Sequence, residues 1–377
     1  MTNIPFVDLK AQYSHLKADI DARINSVLEH GQFIQGPEVR ELEGALNDYS
    51  GAANVVAVGS GTDALHIALL ADGIGEGDAV FVPAFTFTAT AEVILSVGAV
   101  PVFCDVDKRD FNLDVESLEQ QIAATKASGK LRPAAVIAVD LFGLPADYRT
   151  LEAIAEKHGL LLIADGAQSF GASYREQKVG AMADVTTASF FPAKPLGCYG
   201  DGGALLTDDE ERAAIYRSIG AHGKGTAKYD IVRVGMNSRL DTLQAAVLLA
   251  KLVSFDDELA KRNSVAERYD NGLRDVVTTP LRYNDRVSAW AQYGILLDDR
   301  DHIATSLKAA GIPTAIYYPQ PMHLQTAYRP YGEGEGSLPV SEMLSHRILH
   351  LPIHGYLTET DVDYIAGEVV RAVEGRQ

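Results

Sequence analysis

The sequence predicts an α/β fold in which a mainly parallel, seven-stranded sheet is followed by a smaller C-terminal α+β domain. Seven short apolar runs lie between residues 55 and 207, and several alternate with segments whose apolar residues recur at helical spacing. Unbroken apolar strands separated by helices are typical of a parallel sheet covered on both faces. The 377 residues also exceed the usual size of one domain, about 150 residues. We therefore predict a large domain over residues 1–250 and a small domain over residues 251–377.

The elements follow in order from the spacing of apolar residues. Apolar positions 20, 24, 27 and 28 predict a first helix, and Pro37 begins a second one. The predicted strands cover residues 55–58, 80–82, 100–103, 134–139, 160–164, 186–191 and 204–207. Helical patterns at 64–70, 89–96 and 151–157 lie between them.

A long helical pattern begins near residue 241, continues to residue 259 and links to the small domain. In that domain we expect a strand at 290–297, a helix at 302–310, a flexible Gly-rich loop at 332–336 and a last helix at 362–373. Glu342, His346 and His350 have the spacing of a helical metal site, but residues 348–351 have the pattern of a strand and no further ligand is evident. We therefore predict no metal.

Charge and cysteine content narrow the possible partners and compartments. The 33 Lys and Arg residues against 51 Asp and Glu residues give a net charge of −18, which argues against nucleic acid as a partner. Two cysteines do not make a disulfide framework and fit a reducing compartment. No targeting segment and no membrane-spanning run is visible, so we expect a cytoplasmic protein without a membrane partner.

The first candidate site is the Gly-rich turn that contains Gly61 and Thr62, between a predicted strand and helix. Ligands of parallel sheets bind beyond the carboxyl ends of the strands, and a helix start presents free N–H groups to an anion. The alternative is a tight turn in which Thr62 or Asp63 caps the helix. The turn also matches Gly-x-Gly-x-x-Ala, so an NAD-linked oxidoreductase is a rival, although this fingerprint follows about fifty helical residues rather than opening a Rossmann domain.

Three further segments carry polar residues at strand ends. Asp165 ends a buried strand, where it either caps the next turn or holds a proton on a ligand nitrogen. Lys194 lies between two prolines after an apolar strand, where desolvation would make its amine nucleophilic, although a surface lysine is the alternative. Asn237 and Arg239 could bind anions, or Ser238 or Asp241 could simply cap the following helix.

Taken together, these segments supply the parts of a pyridoxal phosphate (PLP) site. The turn at Gly61 offers a phosphate cradle, Asp165 can keep a pyridine nitrogen protonated, and Lys194, about thirty residues later, can bond to the cofactor's aldehyde.

Five motifs together are specific enough to indicate a protein family: Gly59-Ser-Gly-Thr-Asp-Ala64, Pro83-Ala-Phe-Thr-Phe87, Asp165-Gly-Ala-Gln168, Ser189-Phe-Phe-Pro-Ala-Lys194 and Asn237-Ser-Arg-Leu-Asp241. The chain resembles the DegT/DnrJ/StrS sugar aminotransferases, which have the aspartate-aminotransferase fold (PLP fold type I). The resemblance runs nearly end to end, from residue 5 to the region of residue 352.

The resemblance implies a role for each matching residue. Lys194 would be the lysine that bonds to the cofactor, and Asp165 the partner of the pyridine nitrogen. Further cofactor contacts would be Gly61, Thr62, Phe87, Gln168, Ser189 and, from the second subunit of a homodimer with shared active sites, Asn237. Substrate contacts would be Arg239, Tyr317, Tyr318 and His323, although a structural role for His323 is an open alternative.

The resemblance also implies the reaction. L-Glutamate would donate an amino group to an oxo-sugar nucleotide, and Lys194 argues against the family members that carry His there and act as dehydratases. Residues 189–203 and 311–319 are similar to UDP-2-acetamido-2-deoxy-3-oxo-glucuronate aminotransferases of O-antigen pathways, although Tyr317 stands where His is common. A dTDP-linked 3-oxo sugar, a 4-oxo sugar and a non-catalytic PLP-binding regulator are the alternatives.

Overall fold

The computed structural model describes residues 4–180, 182–227 and 229–375. Two helices come first, α1 (Leu9–His30) and α2 (Pro37–Ser50). Helix α1 begins after Asp8, whose side chain accepts a hydrogen bond from the backbone N–H of Ala11 (2.8 Å). It ends at Gly31, whose φ of 71° lies in the left-handed region that glycine adopts readily.

The strands begin after α2. They are β1 (Asn54–Val58), β2 (Asp78–Pro83), β3 (Val100–Cys104), β4 (Arg132–Val139), β5 (Leu161–Asp165), β6 (Ser173–Tyr174), β7 (Gln177–Lys178), β8 (Val185–Ser189), β9 (Gly203–Thr207), β10 (Arg286–Val287), β11 (Tyr293–Leu296) and β12 (Ile348–Leu351). Within the described residues, seven strands form one sheet in the order β1-β9-β8-β5-β4-β2-β3. Strand β9 runs antiparallel to β1 and β8, whereas the other pairs are parallel. The predicted α/β class is therefore confirmed.

Helices lie between and after the strands. They are α3 (Gly61–Ala71), α4 (Ala89–Ser96), α5 (Val115–Ser128), α6 (Tyr148–His158), α7 (Glu210–Gly220), α8 (Thr242–Leu252), α9 (Phe255–Leu273), α10 (Arg300–Ala309), α11 (Pro339–Arg347) and α12 (Glu359–Glu374). The prediction of one continuous helix from residue 241 to 259 is wrong, because the chain turns at Val253 and Ser254. Val253 is exposed there, and Phe255 is buried and stacks on Phe170.

A second apolar core lies in the C-terminal part of the chain. Strands β11 and β12 pair antiparallel, and α9, α10 and α12 contribute side chains to the same buried cluster. The cluster includes Tyr269, Tyr293, Ile295, Leu349 and Ile365. The α+β character predicted for this region agrees with these elements, and the division at residue 250 stays a prediction.

Two simpler sequence features can be compared directly with the structure. Cys104 and Cys198 are both buried free thiols. None of the helices in the described ranges is long and apolar enough to cross a membrane.

Candidate active site

Pairing in the sheet brings the Gly-rich turn beside the end of β8. Gly203, the first residue of β9, pairs with Val58 on one side and with Ser189 on the other. A Cβ atom at Gly203 would lie 2.4 Å from the carbonyl carbon of Ser60, and one at Gly61 would lie 2.7 Å from Cβ of Ser189. Both positions therefore require glycine, and their small size lets α3 start directly against Ser189.

The start of α3 is built to receive an anion. Ser60 caps the helix, and its hydroxyl accepts a hydrogen bond from the backbone N–H of Asp63 (3.0 Å). Gly61 and Thr62 follow in the first turn, where backbone N–H groups have no intrahelical acceptor. The partly exposed Ser189 hydroxyl adds a donor beside them, so a phosphate fits this cradle.

Ser238 supports the cradle, a role that the sequence did not reveal. Its hydroxyl donates to Oδ2 of Asp63 (2.7 Å) and accepts from the backbone N–H of Gly59 (3.0 Å). The sequence indicated only a polar segment around residue 237, in which Ser238 was a possible helix cap. The structure thus ties that segment to the Gly-rich turn.

Asp165 ends β5 at the carboxyl edge of the sheet and is buried. Its Oδ2 accepts from the hydroxyl of Thr90 (2.9 Å), and its Oδ1 accepts from the backbone N–H of Ala167 (3.2 Å). Burial raises the pKa of this carboxyl group, while Thr90, Ala167 and the charge of Lys194 act in the opposite direction. The carboxylate is held in a fixed orientation and lies within the electrostatic reach of Lys194.

Lys194 lies in the connection between β8 and β9. Desolvation lowers the pKa of its amine, and the charge of Asp165 opposes that shift. Its backbone N–H donates to the carbonyl of Phe191 (2.8 Å), and the buried Lys251 donates through Nζ to the carbonyl of Gly197 (2.6 Å). The connection is therefore held from both sides, which restricts where the Lys194 amine can move.

Gln168 and two aromatic residues continue the site. Oε1 of Gln168 accepts from the backbone N–H of Phe142 (2.8 Å), which leaves the amide nitrogen as the group that Gln168 can present. Burial raises the pKa of the Tyr318 hydroxyl, and a hydrogen bond with Gln168 opposes this shift. The Phe87 ring lies 6.3 Å from that of Tyr318 between centroids and is 52% exposed. A planar ligand lying against Phe87 would cover this exposed ring.

Asn237 and Arg239 follow an exposed apolar stretch. Nη2 of Arg239 donates to Oδ1 of Asn237 (2.6 Å), whereas its buried Nε finds no acceptor in the described chain. Upstream, Ile231 and Val234 are 57% and 93% exposed. The two polar side chains therefore contact each other at the surface of this chain, beside apolar residues that it leaves open.

The remaining predicted substrate contacts differ in burial. Tyr317 is half-buried, with its ring 6.4 Å from Phe6 between centroids. His323 is completely buried, and its Nε2 makes a 3.0 Å hydrogen bond with Oε1 of Glu342. This placement favours the structural alternative for His323. No group of three or more His, Cys, Asp or Glu side chains in the described ranges could hold a metal ion.

The residues brought together here fit PLP. An anion cradle, a buried carboxylate and a desolvated amine correspond to the cofactor's phosphate, ring nitrogen and aldehyde. The absence of a side chain at Gly61 supports the fit of a phosphate group, because any larger residue there would fill the cradle against Ser189.

Comparison with known proteins places this arrangement in context. Residues 14–370 match the model of the DegT/DnrJ/EryC1/StrS aminotransferase family. The chain is 46% identical to UDP-2-acetamido-2-deoxy-3-oxo-D-glucuronate aminotransferase of Pseudomonas aeruginosa, over 96% of this chain and 98% of the relative. It is 38% identical to dTDP-3-amino-3,4,6-trideoxy-alpha-D-glucose transaminase of Streptomyces venezuelae, over 94% and 92%.

Solved structures show the same likeness. A DegT DnrJ EryC1 StrS aminotransferase from Brucella abortus superposes with a TM-score of 0.96 at 52% identity, covering 97% of this chain and 98% of that one. NtdA from Bacillus subtilis, solved with bound cofactor PMP, superposes with a TM-score of 0.87 at 28% identity, covering 99% and 86%.

Proposed function

This chain belongs to the DegT/DnrJ/EryC1/StrS aminotransferase family, and on that premise we propose that it transfers an amino group from L-glutamate to a UDP- or dTDP-linked 3-oxo sugar. It is a sugar-nucleotide transaminase with the type I fold of PLP enzymes, and its cofactor is pyridoxal 5′-phosphate. The family match overturns the NAD-linked oxidoreductase suggested by the Gly-rich turn. The observation that carries the proposal is the approach of Lys194 and Asp165 at the sheet edge that also holds the α3 cradle.

Each cofactor contact follows from the chemistry of the side chain. Gly61, Thr62 and Ser189 bind the phosphate at the positive end of the α3 dipole. Asp165 holds a proton at the ring nitrogen, and Gln168 donates its amide N–H toward the ring oxygen. Phe87, 52% exposed on its own, packs against the ring face. When bound, the cofactor supplies an electron sink that makes the α-proton of an amino acid removable.

Lys194 moves the proton. Since desolvation lowers its pKa, a larger fraction of the amine is unprotonated near neutral pH than for an exposed lysine. In that form Lys194 would accept the α-proton of the amino donor, and as an ammonium group it would return that proton later in the transfer. The hydrogen bonds that fix the β8–β9 connection restrict where this amine can move.

The acceptor is inferred from relatives that act at C3. The names of the two relatives described above both refer to position 3 of the sugar, but one sugar is UDP-linked and the other is dTDP-linked. Amination at C3 therefore has more support than either nucleotide base. We assign Arg239, Tyr317 and Tyr318 to the substrate and give His323, which is buried against Glu342, a supporting role behind them. A surface-polysaccharide precursor such as an O-antigen sugar is the product class that we propose.

We propose that the enzyme works in the cytoplasm as a homodimer in which each site uses both chains. The exposed apolar residues Ile231 and Val234 support a partner surface beside Asn237 and Arg239. In the dimer, Asn237 of one chain reaches the phosphate of the other, and Arg239 meets a substrate carboxylate.

The test is a substrate screen on purified protein loaded with PLP. L-Glutamate is supplied with UDP- and dTDP-linked 3-oxo and 4-oxo sugars, and NMR locates the new amine. We expect amination at C3, together with visible absorbance from bound cofactor that borohydride removes along with activity. Amination at C4 would overturn the assignment of the sugar position. Activity that survives borohydride and does not need PLP would overturn the function itself.

A further inference from the structure

A second carboxylate lies behind Asp165. Asp140 follows the last residue of β4, and its side chain is fully buried. Its backbone N–H donates to the carbonyl of Asp165 (3.1 Å), because Val139 and Asp165 are partners in the β4–β5 register. Two acidic residues therefore end neighbouring parallel strands, and the proposed reaction uses one of them.

Neutral donors hold the Asp140 carboxylate. Oδ1 accepts from the backbone N–H of Ala146 (2.8 Å) and the hydroxyl of Tyr148 (2.6 Å), and Oδ2 accepts from the hydroxyl of Ser169 (2.6 Å). Among the residues that the structure describes, the charged group that acts on Asp140 is another acid, Asp165. Burying an ionised carboxylate without a cation is costly, so this arrangement needs a reason.

The donors connect Asp140 to the turn that carries Asp165. Ser169 belongs to that turn, and so does Gln168, whose Oε1 accepts from the backbone N–H of Phe142, two residues after Asp140. The segments that follow β4 and β5 are thus joined at two points, one through the proposed cofactor contact Gln168 and one through its neighbour Ser169.

Charge balance gives the carboxylate a second consequence. The titratable groups that face Asp140 are Tyr148 on α6 and Asp165 on β5, and Lys194 is the cation that acts on Asp165 in the described chain. Two carboxylates at this edge outnumber that one ammonium group. A positive charge bound in front of Asp165, such as a protonated ring nitrogen, would balance the second carboxylate.

We propose that Asp140 is a positioning residue for Asp165, fixing its turn through Ser169 and making the groups in front of Asp165 hold their protons more tightly through its negative charge. The inference rests on the proposed function, since the cofactor ring is the group that this charge serves. The charge of Asp140 acts through space, whereas the turn that carries Asp165 is held by the hydrogen bond from Ser169. We therefore compare a substitution that removes the charge with one that removes this hydrogen bond.

The test compares Asp140→Asn with Ser169→Ala in the holoenzyme. Asp140→Asn removes the carboxylate at nearly constant size, and Ser169→Ala removes one hydrogen bond to that carboxylate and keeps the carboxylate itself. Removal of a nearby negative charge lowers the pKa of its neighbours. In Asp140→Asn we expect the pH midpoint of the bound cofactor's visible absorbance to fall by roughly half to one pH unit. We expect kcat to fall about tenfold with little change in KM, since a transition-state effect is lost.

Ser169→Ala removes one donor to Asp140, so it should lower the midpoint by less than Asp140→Asn does, and it should lose about two- to fivefold in kcat, the effect of one neutral hydrogen bond. An unchanged midpoint in Asp140→Asn, or the same shift in both variants, overturns the role of the charge.

If Asp140→Asn does not fold, Tyr148→Phe replaces it. Loss of the Tyr148 donor favours the neutral carboxyl group of Asp140, so the midpoint should fall by a smaller amount. An unchanged midpoint in Tyr148→Phe would then count against the proposal. Wild-type protein without cofactor absorbance would refute the proposed function instead, before any variant is compared.

Discussion

The hydroxyl of Thr90 donates a 2.9 Å hydrogen bond to Oδ2 of Asp165, although the two residues lie on different elements and 75 positions apart. Thr90 lies near the start of α4 and is almost completely buried. The backbone N–H of Ala167 binds the other carboxylate oxygen. The carboxylate is thus fixed from two directions, which sets its plane before any ligand arrives.

Asp165→Asn should fold but lose most of its rate, by about 10²–10³-fold, because an amide cannot keep the ring nitrogen protonated. Thr90→Val, which leaves the charge and loosens its orientation, should lose about tenfold. Steady-state kinetics with glutamate check both. Thr186→Val is the matched control, since Thr186 is buried and its hydroxyl has no partner within the described residues. Wild-type kinetics in Asp165→Asn would show that Asp165 is only a structural cap.

Lys194→Ala should retain PLP and lose turnover. The phosphate cradle around Gly61 and the ring contact at Phe87 do not depend on the amine, so equilibrium dialysis should detect bound cofactor. We expect kcat to fall by at least about 10³-fold, because the group that moves the proton is missing. Lys157→Ala, which removes an exposed lysine paired with Glu119, should keep full activity. Near-normal turnover in Lys194→Ala would contradict the central assignment.

Gly61→Ala should weaken cofactor binding. The added Cβ would lie 2.7 Å from Cβ of Ser189, so α3 must move away from β8 and the cradle must widen. We expect the dissociation constant for PLP to rise at least about tenfold, which corresponds to 1.4 kcal/mol. Gly44→Ala in α2 is the control, because a Cβ atom at residue 44 would have no neighbour within 4 Å among the described residues. Equal PLP affinity in both variants would count against a phosphate site at Gly61.

Mixed dimers should recover activity that neither parent has. Lys194→Ala and an Asn237→Ala/Arg239→Ala double variant each damage both sites of their own dimer. In a hybrid, one site carries both defects, while the other combines an intact Lys194 with an intact neighbouring segment. Random co-expression makes about half of the dimers hybrid, so about a quarter of wild-type activity should return in a two-fold symmetric assembly. Verified hybrids that stay inactive would show that Asn237 and Arg239 do not serve the neighbour's site.

Stability should depend on pH through Asp140. Burial raises the pKa of its carboxyl group from 3.8 to about 6, so the native state binds this proton more tightly than the unfolded state. The contribution is therefore fully present below pH 4 and is lost as the pH rises through 6, by roughly 3 kcal/mol. Urea unfolding at pH 4.5 and 7.5 should show that Asp140→Asn gains stability relative to wild type at the higher pH. A difference that is the same at both pH values would argue against a buried, titrating Asp140.

The sheet could be predicted because its strands are covered on both faces. Strands β4 and β5 are continuous apolar runs in the sequence, and the structure buries them almost throughout. Asp165 was noticeable for the same reason, since it is an acid at the end of such a run, and Lys194 was noticeable because it lies between two prolines soon after another apolar run. The class of fold and the residues with the most distinctive chemistry therefore follow from local pattern.

The supporting contacts could not be predicted, because they depend on strand order. Thr90 follows β2, and it contacts Asp165 only because β4 lies between β2 and β5 in the sheet. Nothing in the sequence near Thr90 indicates that strand order. Ser238 bonds to Asp63 across 175 positions. The break between α8 and α9 was also missed, since apolar spacing continues through Val253 while the need to bury Phe255 redirects the chain.

The antiparallel strand β9 has a consequence for how the protein is made. Strand β1 ends at residue 58, and its one sheet neighbour among the described strands, β9, begins at residue 203. At roughly 5–20 residues per second, the ribosome needs about 7 to 30 s to synthesise the intervening chain. Strand β8 obtains the same partner almost at once. Since Gly203 brings the Gly61 turn against Ser189, a nascent chain has no phosphate cradle until β9 emerges, and supplying PLP earlier in synthesis cannot assist folding through this site.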